Sequence, residues 1–430
     1  MSVLQLPAEL WLQVFSFLSW KDKLSVRCTC SHFKHLVDKS RPLWRGFTVM
    51  LRDFSRYNRQ FWCSLAQRHV GRVYLRSGKR KHLKQLSSWL PGVDALRLDD
   101  WREDGVGDLK LFPQLKRLAV TSCYAPLKSM AFLFPVRDRL TQLSLCGLQL
   151  TCSVPHLLDA IAQLTRLTTL RLHHDGSLLV TPLSGLLAHL SELTYLSITA
   201  ITYKTLPNDF FSPAHPTAGG AALKLTDLQL LNYDAAVTPE VLQSLSNVRN
   251  LWVYHLYSVP GPVCHLQTWL RSLTQLHSLS VHGGHPLAAY ADLLPSSLVS
   301  LKLCVDLQPD DLHVISARAP RLEHLYLEPW NSSSNLVRLI PQLFPNLRTL
   351  RINHLHISDE DFLSLQQLQR LNTLEILDLF HRPDPRDPSW VVYGPSPRLQ
   401  RLTSDLQQQT DHRVRVVTSV RRDRLTCECI

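Results

Sequence analysis

The residues of this 430-residue chain that could do chemistry are histidines, cysteines and acids in a few short groups. His173 and His174 stand beside Asp175, and His282 is followed three positions later by His285, so each group holds a fragment of a metal site. Neither group has the spacing of a complete ligand set. Both follow predicted strands, where polar loop residues are ordinary. We therefore predict no metal site and no cofactor.

The sequence lacks the motifs of catalysis and nucleotide binding. It has no Gly-rich phosphate loop ending in Lys-Ser or Lys-Thr, no His-Glu-x-x-His and no nucleophile elbow. Only 15 glycines are present, which disfavours nucleotide-cradling loops. Cys28 and Cys30 have no second Cys or His pair at zinc spacing, so we interpret both as core thiols. These observations predict no catalytic residues.

The last four residues, Cys427 to Ile430, have the frame of a prenylation box. Glu428 and Cys429 fit that box poorly, so lipidation of Cys427 is a minor alternative to an unmodified tail. The sequence has no apolar stretch of membrane-spanning length and no basic segment typical of a signal peptide. Ten cysteines spread along such a chain predict free thiols in a reducing compartment. We expect a cytoplasmic protein, leave nuclear residence open, and expect membrane contact only if Cys427 is prenylated.

The net charge of +12 raises the question of nucleic-acid binding. The basic residues are dispersed, however, and the densest clusters lie within residues 76–81 and 413–424. A solvated face or an acidic protein partner explains both clusters better, so we predict no nucleic-acid partner. A basic RNA-binding solenoid remains an alternative, as does a nuclear-import signal at residues 79–81.

The opening stretch is unusually apolar. From Ala8 to Leu18, eight of eleven residues are apolar, and Pro7 and Glu9 suit the first turn of a helix. Two shorter helices are predicted from near Lys21 and from about Ser31. Three helices in about 40 residues cannot enclose a first helix that is apolar all round. We therefore expect another protein to complete this surface, with docking onto the rest of the same chain as the alternative.

The same stretch resembles an F-box. The matching residues, in order, are Leu6, Pro7, Glu9, Leu10, Val14, Phe15, Leu18, Asp22, Leu24, Cys30, Phe33, Leu36, Asp38, Leu43 and Trp44. The family pattern has Trp where Phe33 stands. F-boxes bind the Skp-type adaptor of cullin-based ubiquitin ligases. The resemblance implies that Trp44 closes the helical core and that the adaptor is contacted by Leu6, Pro7, Leu10, Val14, Phe15, Leu18 and Leu24.

A repeat then fills most of the chain. Its template is apolar-x-x-apolar-x-apolar, and its first positions are 22 to 28 residues apart with one gap of 32. The repeats begin at Val70, Val93, Leu115, Leu140, Leu167, Leu193, Leu225, Val248, Leu276, Leu298, Leu322, Leu347, Leu374 and, as a degenerate end, Leu399. A strand and a helix in each period resemble leucine-rich repeats, which stack into a curved solenoid with the strands on the concave side.

The predicted fold class is α+β, with a small three-helix F-box followed by a strand–helix horseshoe of about 13 to 14 leucine-rich repeats. The predicted boundaries are 1–45 for the F-box, 46–69 for a helical linker, 70–404 for the repeats with a loop insertion at 207–222 and a Pro-rich loop at 382–398, and 405–430 for a C-terminal cap or tail with a further strand at 414–420.

The concave strand positions are the predicted client-binding surface. Because neighbouring strands lie about 4.8 Å apart, residues from successive repeats tile one face. Several are of the types enriched in interface hot spots. The candidates are Trp252, Tyr254, His282, Lys302, His324, Tyr326 and Arg351. Coverage of these side chains by loops or by the tail is the alternative.

The resemblance implies a substrate receptor of a Skp–cullin–F-box ubiquitin ligase. The F-box would bind the adaptor and through it a cullin, and the concave face would bind protein substrates. Such a subunit is not an enzyme itself. A non-ligase scaffold or inhibitor is the alternative, and residues 6–45 discriminate between them because a scaffold has no need of an exposed apolar helix.

Overall fold

The computed structural model describes residues 6–103, 106–127, 129–150, 154–174, 184–205, 211, 223–234, 237–255, 263–328, 336–353, 357–378 and 395–420. The chain divides into two compact units. Unit 1 holds the described residues up to His174 together with 189–193, and unit 2 holds 184–188 and the described residues from Thr194 onward. Cys427, most of the 207–222 insertion and residues 382–394 lie outside these ranges. No helix within them is long and apolar enough to cross a membrane.

Unit 1 begins with the predicted three helices, followed by a short fourth. They are α1 (Ala8–Ser16), α2 (Trp20–Arg27), α3 (Ser31–Lys39) and α4 (Arg41–Trp44). Local chemistry sets their starts. The Ser19 hydroxyl accepts the Asp22 N–H at 3.2 Å, and the Cys30 Sγ accepts the Phe33 N–H at 3.4 Å. These contacts satisfy N–H groups that have no partner inside the helix.

The helical bundle has an aromatic core of its own. Phe15, Val37, Leu43 and Trp44 are buried together. The Trp44 Nε1–H donates to the Val37 carbonyl at 2.7 Å, which satisfies the one polar group of that ring. The predicted role of Trp44 in closing the core is confirmed.

The repeats of unit 1 form six parallel strands, each paired with the next. The strands are β1 (Thr48–Leu51), β2 (Arg72–Arg76), β3 (Ala95–Asp99), β4 (Arg117–Leu127), β5 (Gln142–Leu150) and β6 (Thr169–His174). The helices are α5 (Arg59–Gln67), α6 (Arg80–Trp89) and α7 (Val154–Ala162), with 3₁₀ turns at Phe54–Arg56, Leu109–Leu111 and Ala131–Val136.

The segment 46–69, predicted as a helical linker, contains a strand as well as a helix. This segment contains β1, which pairs in parallel with β2, and only then α5. β1 buries Val49 and Leu51 and turns Thr48 and Met50 outward. Val49 and Leu51 fill the last two apolar positions of the repeat template, but Gly46 stands where the template has its first apolar residue, so the template did not identify this first strand of the sheet.

The repeats of unit 2 form nine parallel strands in chain order. They are β7 (Tyr195–Thr205), β8 (Asp227–Asp234), β9 (Asn250–Tyr254), β10 (Ser278–His282), β11 (Ser300–Cys304), β12 (His324–Leu327), β13 (Thr349–Asn353), β14 (Thr373–Asp378) and β15 (Arg415–Val420). The remaining helices are α8 (Ser184–His189), α9 (Pro239–Gln243), α10 (Leu266–Ser272), α11 (Pro309–Arg318), α12 (Leu336–Leu343), α13 (Asp359–Ser364) and α14 (Pro397–Gln409), with 3₁₀ turns at Leu287–Ala289, Ala291–Leu293 and Leu365–Gln367.

The last repeat differs from the prediction. The expected degenerate strand at Leu399 lies in α14, which begins inside the predicted loop 382–398 and crosses the predicted boundary at 404. The Ser396 hydroxyl accepts the Leu399 N–H at 3.2 Å and starts this helix. Leu399, Leu402 and Leu406 then bury one helical face. The strand expected over 414–420 is present as β15, which pairs with β14.

Candidate protein-interaction surfaces

The outer face of α1 carries an exposed apolar stripe. Leu10, Val14 and Phe17 follow one another at intervals of four and three residues, so they lie on one side of the helix, and Leu6 stands just before the helix. The exposed fractions of Leu6, Leu10, Val14 and Phe17 are 46%, 45%, 47% and 83%. Leu24 of α2 is 40% exposed. Among the eight large apolar side chains exposed within the described ranges, these five belong to the F-box-like bundle.

The predicted adaptor-binding residues divide into two groups. Leu6, Pro7, Leu10, Val14 and Leu24 are exposed. Phe15 and Leu18 instead face the bundle core.

The prediction that Phe15 offers a contact surface is wrong. Phe15 is 2% exposed, and its ring packs on Phe33 at 5.2 Å and on Trp11 at 5.6 Å. Helical periodicity places it on the side of α1 opposite Leu10. Phe17 lies in the stripe instead of Phe15. Phe17 follows Val14 by three residues, and this helical spacing could have identified it from the sequence.

A charged cluster joins the bundle to the first repeat helix of unit 1. The Asp38 carboxylate accepts the Nε–H groups of Arg27 and Arg68, each at 2.8 Å. Arg68 directly follows α5, and its guanidinium also lies over the Trp44 ring at 4.6 Å. Burial alone would raise the pKa of Asp38, but the hydrogen bonds from Arg27 and Arg68 outweigh burial and hold that pKa below its usual value.

The Asp38→Asn variant is expected to be less stable than the wild type at neutral pH, by about 1–3 kcal/mol, because it loses two charge-assisted hydrogen bonds. A carboxyl with a lowered folded-state pKa stabilises the fold above its unfolded pKa, and that contribution disappears as pH falls through the folded pKa. The difference between the variant and the wild type should therefore shrink in acid, below about pH 4. Urea unfolding at several pH values measures it.

The control for this prediction is Asp138→Asn, because the Asp138 carboxylate meets Arg137 at 3.6 Å on an exposed surface of the same unit. Its unfolding should match the wild type across the same pH range. Equal pH profiles for Asp38→Asn and the wild type would contradict the assigned role of Asp38.

The strand face of unit 2 brings four predicted client-binding residues into one row. Trp252, Ser280, Lys302, Tyr326 and Arg351 are register partners on successive strands from β9 to β13. Four strand spacings separate the ends of this row, about 19 Å. The row ends on acidic neighbours, since Arg351 Nε lies 3.6 Å from Glu328 and 3.7 Å from Glu375. Burial raises the pKa of Tyr326, as does Glu375, while Arg351 opposes them.

The other predicted client-binding residues lie in neighbouring rows. His324 is half-buried and pairs in register with Thr349. Tyr254 Oη lies 3.2 Å from Ser280 Oγ, and its ring meets the His282 ring at 5.9 Å. The prediction that His282 is exposed is wrong, because it is 5% exposed and is flanked in register by Tyr254 and Cys304. His282 supports Tyr254 from beneath the surface.

The comparisons with known proteins agree with this architecture. An F-box-like family matches residues 3–49. Human F-box/LRR-repeat protein 12 is 30% identical over 229 residues, which are 48% of this chain and 66% of that protein. The N-terminal bundle therefore matches an F-box-like family, and the chain is similar to an F-box/leucine-rich-repeat protein. It spans slightly less than two thirds of the length of that relative.

Two solved structures resemble the fold of this chain at low identity. The TLR13–ssRNA13 complex matches with a TM-score of 0.42 and 16% identity, covering 79% of this chain and 52% of that chain. Internalin C2 from Listeria monocytogenes str. 4b F2365 matches with a TM-score of 0.33 and 19% identity, covering 52% of this chain and 91% of that chain. Neither likeness bears on function.

Proposed function

We propose that this chain is the substrate-recognition subunit of a Skp–cullin–F-box ubiquitin ligase. The observation that carries the proposal is the apolar stripe of Leu6, Leu10, Val14 and Phe17 on a bundle whose core is already closed. Apolar side chains gathered on one exposed face mark an interaction site. The F-box-like match over residues 3–49 supports a Skp-type adaptor as its occupant.

The proposed contribution to ubiquitin transfer is proximity. The bundle binds the adaptor and through it a cullin, while the repeats bind a client protein. The client's lysines then lie at high effective concentration near the charged conjugating enzyme. The chain performs no bond-making step itself.

The experiment that tests the proposal is co-purification of the full chain with a Skp-type adaptor and a cullin. The three proteins are expected to elute together in size-exclusion chromatography. Elution of the chain apart from an adaptor that is already bound to cullin would refute the ligase role. Capture of a client without ubiquitin transfer to it would favour a scaffold.

The double variant Trp252→Ala and Tyr326→Ala is expected to lose clients while keeping the adaptor. Truncating two aromatic residues of one interface row should weaken binding about tenfold or more for each. Quantitative mass spectrometry of purified complexes identifies the clients, and direct titration measures their affinity. The exposed Phe134→Ala in unit 1 is the control, and it should leave unit 2 clients bound. Unchanged client affinity in the double variant would exclude this row as the client site.

A further inference from the structure

The turn between α2 and α3 carries two cysteines separated by one residue. Cys28 directly follows α2, and Cys30 directly precedes α3. The interpretation of both as core thiols is wrong for Cys28, which is exposed, while Cys30 is half-buried. The other cysteines of the described ranges are half-buried or buried. This turn therefore presents one thiol to solvent with a second thiol two residues away.

The sulfur of Cys30 also starts a helix. The Phe33 N–H donates to Cys30 Sγ at 3.4 Å, so this sulfur takes the place of the oxygen that usually caps a helix. The ring of Phe33 packs on Trp11 at 4.7 Å and on Phe15 at 5.2 Å. Both of these residues belong to α1, the helix that carries the apolar stripe. A change at the Cys30 cap therefore reaches the stripe through one residue.

The surroundings of Cys28 are positively charged. The hydrogen bond to Asp38 raises the pKa of Arg27, and the nearby charge of Cys28 acts in the same direction. The Arg27 guanidinium is thus close enough to interact with a Cys28 thiolate. Exposed cysteines beside a cation are the ones that peroxides oxidise selectively.

The spacing of the two cysteines allows a disulfide with some strain. Two steps of 3.8 Å between consecutive Cα atoms span at most about 7 Å, and the Cα atoms of a disulfide usually lie about 4.4–6.8 Å apart. Strained or exposed disulfides are easily reduced and are the regulatory ones. In a reducing compartment, such as the sequence predicts, disulfides are usually transient and often sense oxidants.

We propose that Cys28 and Cys30 form a reversible disulfide in the presence of hydrogen peroxide, and that this bond weakens adaptor binding. The Cys28 thiolate attacks the peroxide, its O–O bond breaks, and a sulfenic acid and water form. The Cys30 thiolate then attacks the Cys28 sulfur, the S–O bond breaks, and the leaving hydroxide takes up a proton to become water. Two thiols and one peroxide thus give one disulfide and two waters, and two electrons pass from sulfur to the peroxide.

The disulfide acts on the bundle through the helix cap. Cys30 Sγ leaves the Phe33 N–H when it bonds to Cys28, so α3 loses its cap and the Phe33 ring loses its fixed position against α1. A dithiol such as dithiothreitol reduces the bond and restores the cap. The effect on the adaptor rests on the proposed ligase function, whereas the disulfide itself does not.

The first test maps the bond in the full chain without the adaptor. Trypsin cleaves after Arg27 and Lys34, which places Cys28 and Cys30 in one peptide without any other cysteine. After treatment with a small excess of hydrogen peroxide and alkylation, this peptide should be unalkylated and lighter by two hydrogen atoms than its reduced form. A peptide that is still alkylated on Cys30, with Cys28 either alkylated or converted to sulfinic acid, would overturn the proposal.

The second test compares adaptor affinity before and after oxidation. Peroxide should weaken binding of purified adaptor about three- to tenfold, and dithiothreitol should restore it, because the loss of a helix cap is of this size. Cys30→Ser should bind normally and ignore peroxide, since serine is itself a good cap. The control Cys63→Ser, which removes a half-buried thiol of α5, should remain sensitive. Equal sensitivity of Cys30→Ser and the wild type would exclude this switch.

The unfolding temperature separates failure of the switch from failure of the proposed function. The oxidised wild type should unfold about 2–4 °C below the reduced protein, whether or not the chain binds an adaptor. Cys30→Ser should show no such shift. A reduced chain that ignores the adaptor would refute the ligase role and leave this thermal shift to test the cap. A disulfide that changes neither the unfolding temperature nor the adaptor affinity would overturn the switch.

Discussion

Replacing Leu10 and Phe17 with serine is expected to abolish co-purification of this chain with a Skp-type adaptor. The two side chains are 45% and 83% exposed, so their apolar surface is available to a partner and contributes little to the bundle core. Burying one such side chain in an interface is worth about 1.5–3 kcal/mol. Losing both should weaken the complex by about two to four orders of magnitude. Pull-down followed by titration with purified adaptor measures the loss.

The fold of the variant should survive, because serine on an exposed helical face costs well under about 1 kcal/mol in helix propensity. Circular dichroism and the unfolding temperature check this point. The matched control is Met50→Ser with Phe134→Ser, which removes two side chains of 46% and 45% exposure from unit 1 outside the stripe. The control should bind the adaptor normally. Adaptor binding by Leu10→Ser with Phe17→Ser at wild-type strength would refute the assigned contact.

The period of the repeats made most of the sheet predictable. Thirteen repeat starts from Val70 to Leu374 correspond to β2 to β14, since each template encodes one buried strand. The two ends of the sheet were harder, because terminal repeats are atypical. Gly46 stands where the template of β1 would have its first apolar residue, and Leu399 and Leu402, three residues apart, fit a helix as well as a strand.

The F-box-like bundle shows a different limit of sequence reasoning. α1 is apolar nearly all round, so composition alone cannot separate its core face from its outer face. The resemblance to the family identified the stretch, but it grouped Phe15 with Leu10. The two residues lie on opposite sides of the helix, and the packing of Phe15 on Phe33 decides which one is buried.

The five arginines Arg72, Arg76, Arg97, Arg117 and Arg171 lie at alternate positions of the strands β2, β3, β4 and β6, and this arrangement was hidden for a geometric reason. They are dispersed along 100 residues of sequence, so no basic run marks them. The repeat period stacks Arg97 and Arg171 into one register row with Ala119 and Ser144 between them. The same stacking forms the row of Trp252 and Tyr326 in unit 2. That row was predicted because the sequence analysis compared residues at equal positions of the repeat template. Charge patterns in repeat proteins therefore become visible once residues are compared at equal strand positions.

Phe15→Ala is expected to destabilise the bundle by about 3–5 kcal/mol, because truncating a buried aromatic residue leaves a cavity among Trp11, Phe33 and Trp44. A small bundle has little stability to lose, since whole domains are stable by only about 5–15 kcal/mol. The variant should therefore also lose the adaptor, but for a reason different from that of Leu10→Ser with Phe17→Ser. Thermal unfolding followed by tryptophan fluorescence separates the two causes.

The conservative variant Phe15→Leu completes this argument. Leucine fills much of the volume, and a hydrophobic exchange of this kind should cost no more than about 1–2 kcal/mol. If Phe15 acts only through the core, Phe15→Leu keeps the adaptor at nearly full affinity, whereas a residue in direct contact would lose affinity in proportion to the aromatic surface removed. A stable Phe15→Leu protein that fails to bind the adaptor would show that the bundle opens on binding and presents Phe15 to the partner.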